Sequence, residues 1–214
     1  SRMISVAIKE GGPNPETNQK LKVAIEKAHF YNVPKENIER AIKRATGKDA
    51  VNEKLKEVSF EAFGPGGIAI IIEGITDNKN RTLGEIKQIL SQHNGKLVGE
   101  GAVRWLFEKK GVISVGISGL KDKEGLEMAA IESGAQDFRW YDDNLEIYTK
   151  PEDLEKVRKI LEEKGVKTES VSLDWVAKEE ISKDEKTKEL CQKLFESLNE
   201  LDSVQEIYSN IKLP

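Results

Sequence analysis

The chain has 214 residues, of which 37% are hydrophobic and 34% charged, and its formal net charge is −4. This balance is too apolar for a disordered chain and is typical of a folded protein with a well-solvated surface. The longest aliphatic run, Ile68–Ile72, is far shorter than the roughly 20 residues that a membrane-spanning helix needs, and a single cysteine cannot form a disulfide framework. These features exclude a membrane span and predict a cytoplasmic protein.

Positive charge is concentrated at the front of the chain. Residues 1–55 contain 11 Lys and Arg against 7 Asp and Glu, a balance of +4, whereas residues 56–214 contain 23 against 31, a balance of −8. This asymmetry indicates one part that attracts a polyanion and a remainder that does not. Ordinary scatter of charge over solvated helix faces is the alternative.

Residues 1–46 have the apolar spacing of helices throughout. The glycines and prolines of residues 11–15 separate a first helix from a second, whose apolar stripe is Leu21, Ala24, Ile25 and Ala28. Pro34 lies in the first turn of a third helix, where its missing N–H costs nothing, and Gly47 ends that helix. The sequence therefore predicts a small helical domain over residues 1–54.

After this segment the apolar period changes from that of a helix to that of a strand. Val58–Phe63 alternates as a half-buried strand, and Ile68–Ile75 is almost continuously apolar. Because a glycine-rich turn joins them, the two segments predict a hairpin. Thr82-Leu-Gly-Glu85 has the pattern of a capping box and predicts the start of a helix. A further strand is expected at Trp105–Phe107.

The next segment has the element order of a complete domain. Residues 112–177 have the pattern strand, helix, strand, strand, helix, strand, which is the βαββαβ order of a ferredoxin-like domain. The preceding segment lacks one helix and one strand, and the tail supplies them at Lys183–Leu198 and Val204–Ile211. The alternative is a C-terminal helix and strand that pack elsewhere.

The sequence thus predicts an α+β fold, with a small helical N-terminal domain followed by two ferredoxin-like α+β domains, one inserted into the other. The three domains are expected at residues 1–54, at residues 55–111 together with 183–214, and, as the insert, at residues 112–182. Each core would be modest, because three domains in a chain of this length lie near the small end of the usual size range.

No group of residues has the spacing of an active site or a metal centre. His29 and His93 have no cysteine or histidine neighbour at ligand spacing. Cys191 lies beside leucines in a helical pattern, which favours a buried small hydrophobe over a nucleophile. The Gly64–Gly67 turn joins two strands and lacks the Lys-Ser/Thr that follows a nucleotide-binding loop. We therefore expect no enzymatic activity, no cofactor, no metal ion and no small-molecule substrate.

Recognition of a polyanion by cationic side chains is the chemistry that remains. The candidate nucleic-acid-binding residues lie off the apolar stripes or ahead of a helix start, and they are Lys20, Lys22, Lys27, Lys35, Arg40, Lys43, Arg44, Lys79 and Arg81. Arg40 and Lys43 also have a structural explanation, because each follows a glutamate by four residues in a helix-stabilising order. Lys79 and Arg81 precede a predicted helix N-terminus, whose free N–H groups favour an anion. A capped loop with two exposed cations is the alternative there.

The inserted segment lacks the residues of an RNA-recognition domain. Such a domain stacks bases on aromatic side chains of its first and third strands. Here those strands, residues 112–117 and 145–149, do not have the aromatic set. We therefore do not expect the insert to bind RNA in the conventional way.

Four motifs occur together in the first half of the chain. They are Gly11-Gly-Pro-Asn-Pro15, Pro34-Lys-Glu-Asn-Ile-Glu-Arg-Ala-Ile-Lys-Arg44, Phe63-Gly-Pro-Gly-Gly67 and Thr76-Asp-Asn-Lys-Asn-Arg-Thr82. In this order and spacing they resemble the YebC family, which includes the mitochondrial translational activator of cytochrome oxidase subunit one. The resemblance implies a helical N-terminal domain and two α+β domains without enzymatic activity. Family members open with a strongly basic segment, which we expect to be missing ahead of Ser1.

Two functions are attached to the YebC family, namely DNA-binding transcriptional regulation and ribosome-associated assistance of translation, notably at proline-rich stretches. We favour an RNA-binding, ribosome-associated role in translation regulation, because no helix of residues 1–46 has a convincing set of base-reading side chains and no dimer element is evident. A DNA-binding transcriptional regulator is the alternative, and a protein-interaction scaffold is a third possibility. The expected partner is ribosomal RNA or DNA. No membrane partner is expected, and the chain is expected to be a monomer.

Overall fold

The computed structural model describes residues 2–30, 32–47, 55–116 and 122–212. It divides into two compact units, one formed by residues 1–108 with 176–213 and the other by residues 109–175. In the described ranges, no helix combines the length and apolar character that crossing a membrane requires. The division into three independently folding domains stays a prediction, and its boundary segment at residues 48–54 lies outside the described residues.

Helices and strands succeed one another along the chain in the following order. The elements are α1 (Arg2–Gly11), α2 (Gln19–Phe30), α3 (Lys35–Thr46), β1 (Lys56–Phe63), β2 (Ala69–Thr76), α4 (Lys79–Gln92), β3 (Lys96–Val98), β4 (Phe107–Gly116), α5 (Lys123–Glu132), β5 (Asp137–Tyr141), β6 (Asn144–Thr149), α6 (Leu154–Glu163), β7 (Ser170–Ala177), α7 (Glu185–Asn199) and β8 (Val204–Ser209). The predicted end of the first inserted strand, at Ile117, lies outside the described residues.

Helices α1, α2 and α3 pack around a small core of their own. Its buried side chains are Ile4, Ala7, Ile8, Leu21, Ala24, Ile38 and Ala41. Asn18 fixes the turn between the first two helices, because its amide donates to the carbonyls of Ala7 and Gly12, both at 2.7 Å, while its Oδ1 accepts the Leu21 N–H. A Cβ atom at Gly11 would lie 2.7 Å from the Asn18 side chain. The glycine motif therefore leaves room for this buried asparagine.

The first unit also contains a four-stranded sheet in the order β3-β1-β2-β8. Neighbouring strands are antiparallel, and Ile71 of β2 faces Tyr208 of β8 in the register. The C-terminal strand thus lies at an edge of a sheet whose other strands come from residues 56–98. Helices α4 and α7 cover one face, where the buried residues include Phe60, Ile70, Ile72, Ile86, Leu90, Leu194 and Leu198.

The second unit contains a sheet in the order β5-β6-β4-β7. Its strands, numbered within the unit, have the spatial order 2-3-1-4, which is the ferredoxin-like order. Helices α5 and α6 cover one face, and the buried residues there include Ile113, Val115, Leu126, Ala130, Leu145, Ile147, Val157 and Leu161. The predicted α+β class is therefore confirmed.

The third strand of the first sheet is not where the sequence prediction places it. The predicted strand at Trp105–Phe107 is wrong, because Arg104–Leu106 form a single 3₁₀ turn and β4 begins only at Phe107. The strand that pairs with β1 is instead the three-residue β3, which opposes residues 61–63. Three residues between glycines are too few to show an alternating pattern.

The predicted start of α4 is wrong by about a turn. The helix begins at Lys79, and the side chain of Asn78 caps it by accepting the Arg81 N–H at 3.1 Å. Asparagine is at least as good a helix cap as threonine, so the helix begins after Asn78 and not after Thr82. Thr82 is buried and donates its hydroxyl to Thr76 Oγ1 at 2.9 Å instead of capping.

Candidate nucleic-acid interface

A cleft of about 820 Å³ lies in the first unit, lined by residues of α1, α2, α3 and the first turn of α4 and of the segments that precede α3, β1 and α4. Its charged lining consists of four arginines and one carboxylate, namely Arg2, Arg40, Arg44, Arg81 and Asp77. Guanidinium groups remain charged at every physiological pH. The cleft is therefore strongly cationic in a chain whose net charge is negative.

Helix α3 places two of these arginines together. Ile38 and Ala41 are buried in the helical core, so the remaining side of the helix turns away from that core. Arg40 and Arg44 are four residues apart and share one side of the helix, since residues at this spacing are neighbours. Both are exposed, and both line the cleft. One helix face thus presents two guanidinium groups to the same space.

Arg81 and Arg2 come from other elements and are held in place by hydrogen bonds. Arg81 donates from Nη2 to Asp77 Oδ1 at 2.5 Å, and Arg2 donates from Nη1 to the Ile75 carbonyl at 3.1 Å. The hydrogen bond from Arg81, aided by the charge of Arg2, holds the pKa of Asp77 below its ordinary value. Asp77 therefore stays ionised and orients Arg81, while each arginine keeps further N–H donors for a ligand.

The two ion pairs expected within α3, Glu36 with Arg40 and Glu39 with Lys43, do not form among the described residues. Glu39 pairs with Lys35 on the preceding turn, at 3.8 Å, and not with Lys43. Arg40 turns into the cleft lining instead of forming an ion pair with Glu36. The side chains of Lys35 and Glu39 are 82% and 64% exposed, and an exposed pair at this distance contributes little. The competing structural explanation for Arg40 is thereby weakened.

Two of the candidate lysines serve a structural role. Lys20 bridges Glu10 and Glu57 at 2.8 and 2.7 Å, and Lys27 pairs with Glu206. Burial lowers the pKa of Lys20, but the hydrogen bonds to both glutamates outweigh it and leave the pKa raised. These pairs tie α2 to strands β1 and β8. Four other candidates are exposed and are not part of the cleft lining, namely Lys22, Lys35, Lys43 and Lys79.

The expected anion site at the N-terminus of α4 also changes. Because α4 begins at Lys79, that residue and Arg81 lie in its first turn and not ahead of it. The N–H of Arg81, one of the groups expected to be free, donates to Asn78. The guanidinium group of Arg81 lines the cleft, whereas its N–H is used in the helix cap.

Sequence reasoning missed Arg2. It lies at the start of α1, and its position depends on a hydrogen bond to a carbonyl 73 residues further along the chain. A contact at that separation leaves no local pattern. The structure thus brings together three of the nine candidates, Arg40, Arg44 and Arg81, and adds one residue that was not a candidate.

The single cysteine of the chain lies in the core of the first unit. The thiol of Cys191 is buried and lies 3.8 Å from the Pro65 carbonyl oxygen. Burial raises the pKa of this thiol, which keeps it protonated and disfavours a role as a nucleophile. In the part of the chain that the structure describes, no three His, Cys, Asp or Glu residues gather into a metal-binding group.

The structure is that of an α+β protein with an arginine-lined cleft in its first unit. Comparison with known proteins identifies its family. Residues 1–48 match the N-terminal domain of the TACO1/YebC proteins, and residues 55–211 match their second and third domains. The chain therefore belongs to the TACO1/YebC family, which confirms the resemblance drawn from its motifs.

Individual relatives agree over nearly the whole chain. A probable transcriptional regulatory protein of Dictyoglomus turgidum is 44% identical over 214 residues, covering 100% of this chain and 86% of the relative. A protein of the same description from Caldanaerobacter subterraneus is 45% identical over 210 residues, covering 98% and 86%. The crystal structure of a conserved hypothetical protein of Aquifex aeolicus is similar with a TM-score of 0.89 and 41% identity, covering 100% of this chain and 87% of that one.

Proposed function

We propose that this chain is a non-enzymatic regulator of gene expression that binds nucleic acid through the arginine cleft. The observation that carries the proposal is the convergence of Arg2, Arg40, Arg44 and Arg81 on one space with a single opposing carboxylate. Guanidinium groups bind phosphate oxygens through paired hydrogen bonds. Phosphate contacts supply the sequence-independent part of nucleic-acid affinity.

The shape of the site favours RNA over duplex DNA. A helix that reads duplex DNA protrudes into a major groove about 12 Å wide. Here the cationic side of α3 faces into a concave cleft, together with Arg2 and Arg81 from other elements. Such a cleft can surround one strand or a loop, which is the form in which proteins usually recognise RNA.

The specific proposal is therefore a ribosome-associated factor that binds ribosomal RNA and assists translation, including at proline-rich stretches, which is one of the two functions that the motif resemblance suggests. The basic helical part would contact the RNA. The remaining residues carry net negative charge. This charge disfavours nonspecific binding of a polyanion to the rest of the surface.

DNA-binding transcriptional regulation is the second candidate, favoured by the description of the relatives as probable transcriptional regulatory proteins. The same arginines would then contact the backbone of a duplex. The two candidates differ in what they require of the ligand. Tight and sequence-selective binding to one duplex, at least about 10³-fold above random DNA, is needed for the second.

A charge-reversal pair tests the proposal. Arg40→Glu with Arg44→Glu changes two cleft arginines on an exposed helix side, and Lys156→Glu with Lys159→Glu changes two exposed lysines of α6 as the control. Binding to ribosomes, to ribosomal RNA fragments and to duplex DNA is measured over a salt series. The cleft pair should weaken RNA and ribosome binding and lower the salt slope by about one unit per lost phosphate contact.

The control pair should leave both quantities unchanged. Equal loss in the two variants would indicate a nonspecific effect of charge and would contradict a site in the cleft. Selective duplex binding that is lost in the cleft pair, with no ribosome association in the unaltered chain, would favour the transcriptional function instead.

A further inference from the structure

The three tryptophans of the chain lie in different surroundings. Lys123 lies over the ring of Trp140, and Lys109 over that of Trp175, at 4.9 and 5.1 Å from the ring centres. Both of these rings are also partly buried. Trp105 is instead 66% exposed on the loop that precedes β4. Trp105 is therefore the tryptophan whose ring is most accessible to a partner.

The ring of Trp105 has a fixed direction despite its exposure. Its Nε1–H donates to the carbonyl of Ala102 at 3.1 Å, within the same loop. This bond satisfies the only polar group of the indole. A partner would therefore contact the flat apolar faces of the Trp105 ring, which favour stacking over hydrogen bonding.

The loop itself is anchored by a buried carboxylate. Glu61 of β1 has 2% of its side chain exposed, and its two oxygens accept the backbone N–H groups of Gly101, Val103 and Arg104 at 2.7, 2.8 and 3.0 Å. Arg104, the residue next to the tryptophan, also donates to Ser59 at 2.8 Å. A buried charge is costly unless it is fully hydrogen-bonded. The strand thus holds the loop at three residues that all precede Trp105, the last of them directly.

We propose that Trp105 is a stacking platform for an unpaired base of the RNA strand that this chain binds. The inference rests on the proposed nucleic-acid binding and extends it to a second contact, outside the arginine cleft. Aromatic stacking accepts any base, because every base has a flat π face. It would supply a contact to the bases that the guanidinium groups, as phosphate ligands, do not make.

The surroundings of Trp105 favour a base over an apolar protein partner. The other exposed side chains of its loop are those of Glu100 and Ala102, next to glycines, and no second large apolar side chain of the loop is exposed. An interface for a protein would need a contiguous apolar patch of several hundred Å². Phe63 is the nearest comparable group along β1, two residues beyond Glu61 and therefore on the same face of that strand. A single ring beside polar groups has room for one base on its flat face.

The test compares two ligands that differ only in their bases. One is a single-stranded oligouridine, and the other is an abasic ribose-phosphate strand of equal length. Trp105→Ala should lower the affinity for oligouridine by roughly 5- to 150-fold, leave the affinity for the abasic strand unchanged and leave the salt slope unchanged. Trp105→Phe should retain most of the affinity, because a phenyl ring also stacks.

Fluorescence gives a readout that a merely structural role would not change. Oligouridine should quench the unaltered chain more strongly than Trp105→Phe, since stacking on a base quenches an indole, and the abasic strand should quench both equally. Unchanged oligouridine affinity in Trp105→Ala, together with weakened binding in Arg40→Glu/Arg44→Glu, would overturn the stacking proposal and leave the proposed function intact. Failure of the unaltered chain to bind either strand would overturn both.

Discussion

Each of the two sheets has helices on one face, and the two sheets differ on the face that their helices leave uncovered. In the second unit that face is filled by its own polar network. The Tyr148 hydroxyl donates to Glu146 at 2.6 Å and lies 3.4 Å from that of Tyr141, while Lys110 and Arg139 lie over the Tyr148 ring. Tyr148 is only 2% exposed. Its aromatic and cationic groups are engaged with one another.

In the first unit the corresponding face carries Glu61, which accepts three backbone N–H groups and holds Trp105 in solvent. Both faces contain aromatic and charged residues, so composition alone does not separate them. The difference lies in which groups already have partners within the chain. The accessibility of an aromatic side chain to a partner, and not its presence on that face, distinguishes the two faces.

The largest effect should follow from removing the carboxylate that anchors the loop. Glu61→Ala removes the acceptor of one buried N–H group, that of Val103, and of two partly buried ones, and a buried N–H without an acceptor costs about 1–3 kcal/mol. We expect the free energy of unfolding to fall by about 2–3 kcal/mol, as measured by urea denaturation. Glu61→Gln, which keeps one acceptor oxygen, should lose clearly less. Equal stability of Glu61→Ala and the unaltered chain would show that the loop does not depend on this anchor.

A smaller effect is expected on the packed face of the second unit. Burial, together with the hydrogen bond to Glu146, raises the pKa of Tyr148, so its hydroxyl remains a donor throughout the physiological range. Tyr148→Phe removes this donor and should cost about 1 kcal/mol of stability. It should not alter oligouridine affinity. A loss of RNA binding in this variant would mean that the face takes part in recognition and would break the contrast between the two sheets.

Removing the cap of α4 should have a similar or smaller effect on stability but a different one on binding. Asn78→Ala removes the acceptor for the Arg81 N–H and should destabilise the chain by about 1 kcal/mol. The first turn of α4 carries Arg81 into the cleft, so RNA affinity should fall slightly as well. Asp122→Ala removes the matching cap of α5 in the second unit and should reduce stability alone. Urea denaturation and RNA titration of both variants check this.

The smallest effect concerns pH. Burial would raise the pKa of Glu61, but the three backbone hydrogen bonds outweigh it and leave the pKa below its ordinary value of 4.5. A carboxyl with a lowered folded-state pKa stabilises the fold above the unfolded value and loses that contribution as pH falls through the folded value. The unaltered chain should therefore lose more stability between neutral and acidic pH than Glu61→Gln does. Parallel losses would contradict this assignment.

Much of the fold follows from changes of period along the sequence. The helical start, the hairpin and the βαββαβ order are visible because each element is long enough to show its own repeat. The sequence pattern does not reveal β3, because this strand has only three residues. The start of α4 is misplaced because Asn78 and Thr82 are both acceptable caps, and only the buried partner of Thr82 decides between them.

The candidate site is only partly predictable for a different reason. Arg40, Arg44 and Arg81 stand out as cations, but nothing local separates them from Lys20 and from the other lysines. The partners of Lys20 are 10 and 37 residues away in the chain. Whether a cation forms a salt bridge or lines a cleft is decided by these distant contacts, which the sequence pattern does not contain.

The central claim is that the cleft arginines contact phosphates, and their side-chain N–H signals test it most directly. Nitrogen-15 spectra of the arginine Nε–H groups are recorded while single-stranded RNA is added. The signals of Arg2, Arg40, Arg44 and Arg81 should shift together at the same RNA concentration. That of Arg158, which pairs with Glu155 and Glu162 on α6, should stay in place. Shifts confined to arginines outside the cleft, with the four cleft signals unmoved at saturation, would contradict the account.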